Sequence, residues 1–176
     1  MEQIAVWMSV LMPLGIFIVT LLVGILMRRI LFNRLSQWAK STATQADDIV
    51  ISVVRGPFLI WCAMFGLYLA LQFMSLSPDA LRISNKLLLV LGIISVTLVL
   101  SSLSAQLITI CSRRIDSAFP VTSLTQNIAR IIIWGMGTLV ALNSLGVSIA
   151  PILATLGVGG LAVALALQDT LANLFL

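Results

Sequence analysis

Side chains able to do covalent or acid–base chemistry are scarce in this chain. It has no histidine, 2 cysteines and 6 acidic residues among 176. Enzymes assemble their sites from His, Cys and paired carboxylates, so the sequence predicts no enzyme, and nothing in it calls for a cofactor or a metal. Cys62 and Cys111 lie in or at the ends of different apolar segments, without the CxxC spacing of a metal or redox site. They read as small buried hydrophobes. The informative spacing is apolar instead: Leu161 and Leu165 stand one helical turn apart, with Gln168 and Asp169 following. A narrow leucine-lined passage excludes water and blocks ions without a plug, and modest widening lets water back in. The chemistry on offer is control of wetting.

The segment holding these leucines reads ATLGVGGLAVALA from Ala154 to Ala166. Glycine costs helix stability, whereas close helix packing in lipid needs small residues, so this helix is expected to pack on more than one side. At about 100° per residue, Ala154, Val158, Leu161, Leu165, Gln168 and Ala172 fall on one narrow stripe. Gly157, Gly160 and Ala164 flank it on one side, Gly159, Ala162 and Ala166 on the other, and Leu156, Val163, Leu167, Thr170 and Leu174 form the back. Two smooth flanks beside one stripe suit a ring of identical parallel helices, each flank meeting the opposite flank of the next subunit. Leu161 and Leu165 would then gate the axis, Ala154, Val158, Gln168 and Ala172 would line it, and Asp169 would stand at its mouth. The same small residues also suit a GxxxG-type dimer contact, and the pattern alone leaves both readings open.

The elements that must position this stripe follow from composition. The chain is 60% apolar and 9% charged, with a mean hydropathy of +1.15, whereas a soluble domain carries roughly 25% charged residues. An all-α membrane protein of about five transmembrane helices is predicted, at roughly 20 apolar residues per crossing. The spans are Ala5 to Met27, Ile49 to Met74, Lys86 to Ile110, Ile128 to Leu145 and Ile149 to Leu176. The polar stretch from Arg28 to Asp48 reads as a helical extension or an interfacial helix. A break is expected at Arg55, Gly56 and Pro57, because proline frees a backbone carbonyl. Polar turns are predicted over Ser75 to Asn85 and Cys111 to Asn127, the latter with Arg113, Arg114 and Asp116, and a tight turn at Gly146 to Ser148. Residues 1–145 would be a four-span, lipid-facing sensor and residues 146–176 a Gly/Ala-rich pore-lining helix.

The formal charge of +4 is carried at the ends of apolar runs rather than in one basic stretch, so it reads as a topology signal and not as a nucleic-acid surface. With the N-terminus outside, Arg28, Arg29, Arg34, Lys40, Arg55, Arg113, Arg114 and Arg130 share one side, and only Arg82 and Lys86 the other. The positive-inside rule makes the larger group cytoplasmic, and five spans bring the C-terminus out there. Arg55 and Arg130 read as snorkelling to the interface. Gly135 and Gly137 are expected to let the fourth span approach another helix, with the last helix a candidate.

The run LGVGGLAVALALQDTLANLF, from Leu156 to Phe175, resembles the pore-lining helix of the mechanosensitive channel of small conductance (MscS) family, and SIAPILAT before it extends the likeness. The earlier spans match only in number and sidedness. The resemblance implies that Leu161 and Leu165 form the vapour-lock constriction. Gly157, Gly160, Ala162, Ala164 and Ala166 would be packing surfaces, Gln168 would sit where the helix is about to bend, and Asn173 matches the family's asparagine after the bend. It also implies a homo-oligomer, a heptamer, in the cell membrane. Some members have a glycine where this chain has Asp169, and aspartate lacks glycine's backbone freedom. Members continue into a cytoplasmic vestibule, so the chain, ending at Leu176, is expected to hold the membrane domain only.

The expected function is a tension-gated channel for ions and small osmolytes that opens on hypo-osmotic stress. The alternative is a truncated, non-conducting helical module mediating subunit association.

Overall fold

The computed structural model describes residues 2–39, 45–74, 76–114 and 121–175, and all regular structure among them is helical. Helix α1 spans Glu2–Ala39, α2 Gln45–Arg55, α3 Pro57–Phe73, α4 Pro78–Arg114, α5 Val121–Ser144, α6 Ala150–Ala166 and α7 Gln168–Phe175. The polar stretch after Arg28 continues α1 as a helix to Ala39, and Lys40 lies outside the described residues.

Local chemistry sets the boundaries. Pro57 opens α3 at a position whose N–H has no intrahelical partner to lose, and the α2/α3 pair bends there by 41°. The predicted break is present. The predicted turn over Ser75 to Asn85 is much shorter, because α4 starts at Pro78. There Ser77 Oγ accepts the Ala80 N–H at 3.4 Å, and Ser77 C=O accepts the Leu81 N–H at 3.0 Å. The turn over Cys111 to Asn127 shrinks too, since helix runs to Arg114 and resumes at Val121; Asp116 lies outside the described residues. Helix α5 ends in a Schellman motif. Gly146, at φ +92°, donates to Asn143 C=O at 3.0 Å and Val147 donates to Leu142 C=O at 3.1 Å.

Helices α1 and α3, and α4 and α5, form two antiparallel pairs, with α2 packed across them. In α1/α3 the backbones approach at Gly24, where an added Cβ would lie 2.7 Å from Cys62 Cβ, and at Gly66, where it would lie 3.1 Å from Thr20 Cβ. Phe32 meets Phe58 edge-on at 5.6 Å. In α4/α5, Gly137 sits on buried Thr97, with 2.6 Å between an added Cβ and Thr97 Cγ2. Thr97 is buried with its hydroxyl satisfied, donating to Ile93 C=O at 2.8 Å, and Gln126 Nε2 donates to Thr109 Oγ1 at 2.8 Å. The pairs meet where Trp61 Nε1 donates to Ser95 Oγ at 2.9 Å, and α2 packs on α4 and α1. Cys62 is half-buried, as expected; Cys111 is exposed, contrary to its reading as a buried hydrophobe.

Two helices, Leu11–Leu35 within α1 and Pro78–Ser112 within α4, are long and apolar enough to cross a membrane, and α2/α3 taken as one bent span makes three. The expected five spans are thus not confirmed by length and composition among the described residues, where α6 is a shorter apolar helix of 17 residues. The antiparallel packing gathers Arg28, Arg29, Arg34 and Arg55 at one end with the C-terminal end of α4 and Arg130. Arg82 and Lys86 stand at the other end.

Gly137→Val is expected to destabilise the fold by about 1–3 kcal/mol through overpacking against Thr97. Gly135→Ala, with nothing within 4 Å of its added Cβ, should stabilise by about 0.5–1 kcal/mol. Equilibrium unfolding in mixed micelles checks both.

Candidate pore-lining helix

Helix α6 is set up by the turn before it. Once the Schellman motif has closed α5, a short link leads to Ile149, whose C=O accepts the Leu153 N–H at 2.9 Å, and Pro151 fits the first turn. From there the segment is apolar apart from Thr155, whose hydroxyl donates to Pro151 C=O at 2.9 Å and so needs no outside partner.

What α6 lacks is a neighbour. Among the described residues it contacts no helix except α7, and none of its residues is buried. Val158, Leu161 and Leu165 are 69%, 66% and 70% exposed. Added Cβ atoms at Gly157, Gly159 and Gly160 would meet nothing within 4 Å. Each glycine costs a helix about 0.8–1 kcal/mol relative to alanine, and no contact within the chain offsets that. Ala154, Ala162, Ala164 and Ala166 are equally open. Gly137 does let the fourth span approach another helix, but that helix is α4 and not the candidate α6; an added Cβ on Gly135 would meet nothing within 4 Å, and among the described residues α5 makes no contact with α6.

The helix breaks at Leu167, one residue before Gln168, at φ −94° and ψ 0°. These angles are open to any L-residue, so the break needs no glycine, and Asp169 is no obstacle to it. Leu167 still donates to Val163 C=O at 3.0 Å. Asp169 falls instead in the first turn of α7, where the partial positive charge of the helix start favours a carboxylate. Ala154, Val158, Leu161 and Leu165 share α6, whereas Gln168, Asp169, Ala172 and Asn173 stand exposed on α7. The straight-helix stripe therefore joins the two groups only across the break. No local signal marks Leu167, a leucine within an apolar run, as the residue that breaks it.

Residues 127–168 match the family described as "Mechanosensitive ion channel, transmembrane helices 2/3". The matched stretch is most of α5, the Gly146 turn, the whole of α6 and the break itself. Over this stretch the chain is similar to mechanosensitive channels. It is 30% identical over 142 residues to the large-conductance mechanosensitive channel MscMJLR of Methanocaldococcus jannaschii, covering 77% of this chain and 39% of that protein. It is 29% identical over 179 residues to the small-conductance mechanosensitive channel MscMJ of the same organism, covering 90% of this chain and 48% of that protein. The chain thus spans less than half the length of either relative. No solved structure matches it. The MscS-type resemblance read from Leu156 to Phe175 is upheld, and the chain is a membrane protein.

Gly160→Leu tests whether the exposed flanks pack outside the chain. Nothing lies within 4 Å of the site, so helix content and subunit unfolding should be retained, with a gain of up to about 1 kcal/mol from losing glycine. Higher-order species seen by chemical crosslinking in vesicles should disappear.

Proposed function

We propose that this chain is a subunit of a tension-gated channel that passes ions and small osmolytes when external osmolarity falls. The observation that carries the reading is α6, an apolar helix with a leucine stripe between small-residue flanks and no partner in its own chain. A ring of identical copies gives every flank a partner and turns Leu161 and Leu165 toward a common axis, where they exclude water. Gly157, Gly160 and Ala164 of one copy then meet Gly159, Ala162 and Ala166 of the next. Val158 and Ala154 line the passage on one side of the gate, and Gln168, Ala172, Asp169 and Asn173 the mouth beyond the break.

Residues 1–145 serve as the lipid-facing sensor and residues 146–176 as the pore. Tension favours the state of larger area, so outer helices that spread with the lipid draw the pore helices apart. The family description, which calls the counterparts of α5 and α6 transmembrane helices, supports counting them as the fourth and fifth spans. The charge asymmetry supports an N-terminus outside and a cytoplasmic C-terminus in the cell membrane. Seven copies is the number the family resemblance implies.

Patch recording from liposomes under graded suction tests the reading. Leu161→Ser is expected to raise open probability at fixed suction about ten-fold, on the scale of a leucine side chain's hydration penalty of about 1.5–3 kcal/mol. An unchanged threshold would remove Leu161 from the gate. Silence up to rupture, from protein shown to be inserted, would favour the association module instead. Asp169→Asn should move the reversal potential under a salt gradient away from the cation side, because a ring of carboxylates at the mouth favours cations.

A further inference from the structure

Helices α1/α3 and α4/α5 are two tight pairs; α3 and α4 meet directly along a thin seam, and α2 links the pairs by packing on both α1 and α4. Within α1/α3 and α4/α5, backbone is pressed against side chain at Gly24, Gly66 and Gly137. Between the pairs, α3 and α4 touch far more sparsely than the members of either pair do. An added Cβ on Gly92 of α4 would sit 3.6 Å from Met64 Cε of α3, an ordinary contact rather than a close approach. The Trp61–Ser95 hydrogen bond, 2.9 Å long and partly buried, crosses this seam.

These contacts differ in what lipid can replace. A hydrocarbon tail substitutes readily for one apolar side chain against another, as at Met64 and Gly92, because it is as apolar as the group it displaces. It cannot enter a glycine contact without leaving voids, and it offers no acceptor to an indole N–H. The α2/α3 break adds freedom at the same place. Helix α2 packs mainly on α4 and α1, the 41° bend falls at Gly56, and Pro57 contributes no N–H to bridge it.

We propose that the α3/α4 seam is the joint that yields when the bilayer is stretched, and that the Trp61–Ser95 hydrogen bond is its latch. The two helix pairs part along that seam, each keeping its own packing, with α2, which touches both α1 and α4, as the hinge between them, and lipid fills the gap. What the motion drives rests on the channel reading above; the motion itself is measured without current.

The test uses spin-label distances in the full chain carrying Cys62→Ala and Cys111→Ala, with labelled chains diluted among unlabelled ones in phosphatidylcholine and phosphatidylglycerol vesicles. Labels at Phe65→Cys and Leu91→Cys span the seam; labels at Leu98→Cys and Met136→Cys span α4/α5. Adding lysophosphatidylcholine to the outer leaflet should lengthen the seam distance and leave the α4/α5 distance unchanged. Trp61→Phe and Ser95→Ala should each raise the long-distance population about three- to ten-fold, the scale of one interhelical hydrogen bond in a membrane, and the double variant should add nothing further. Lengthening of both distances together, or latch variants that leave the seam unmoved, would overturn the proposal. Ser95→Ala alone suffices if Trp61→Phe does not insert. A seam that opens in a protein silent under suction would count against the channel reading and not against the joint.

Discussion

Lipid tails surround an apolar side chain much as another leucine would, so apolar burial gives membrane helices little cause to associate. What remains is close backbone approach and hydrogen bonds that lipid cannot supply. The packing of α1 to α5 follows from that constraint. Gly24 admits Cys62, Gly66 admits Thr20, and Gly137 admits Thr97. The polar groups left among the helices are mostly spent on local carbonyls, as with Thr20, Thr97 and Thr109, or across helices, as with Trp61 to Ser95 and Gln126 to Thr109. Large apolar side chains meanwhile stay exposed along α1, α3 and α4, as a lipid-facing surface requires.

The same constraint gives α6 its meaning. Close backbone approach is the use glycine has in a membrane helix, and in α1/α3 and α4/α5 the glycines at the contacts have partners. The glycines of α6 have none within the chain. Among the described residues, α6 carries glycine's cost on two flanks with no contact to offset it, which is the observation the proposed ring of copies rests on. In that proposal the leucine stripe between the flanks is the surface that faces the axis.

Much of this was legible in local residue types. Gly56–Pro57 announces the break in the second span, Gly146 the turn before α6, and Leu161 with Leu165 the stripe. The start of α4 was written in Ser77, Pro78 and Asp79, an N-terminal signature that the polarity of residues 75–85 concealed. Two features had no local mark. Gly137 looks like Gly135 along the chain, yet only Gly137 has a close neighbour, because the register of α4 against α5 places Thr97 there. The break at Leu167 arises at a backbone geometry open to any residue, so no residue type announces it.

Composition, periodicity and punctuation thus determined that the chain is helical, that it belongs in a membrane, and which face of its last apolar helix carries leucine between small residues. Those properties depend on neighbours within a turn or two and on transfer free energies that each side chain carries alone. Tertiary structure decided which small residues are contacts within the chain and which stay open, where the helix pairs meet weakly, and where the last helix divides. Those depend on register between segments distant in sequence, which hydropathy does not encode because lipid and leucine are nearly equivalent surroundings.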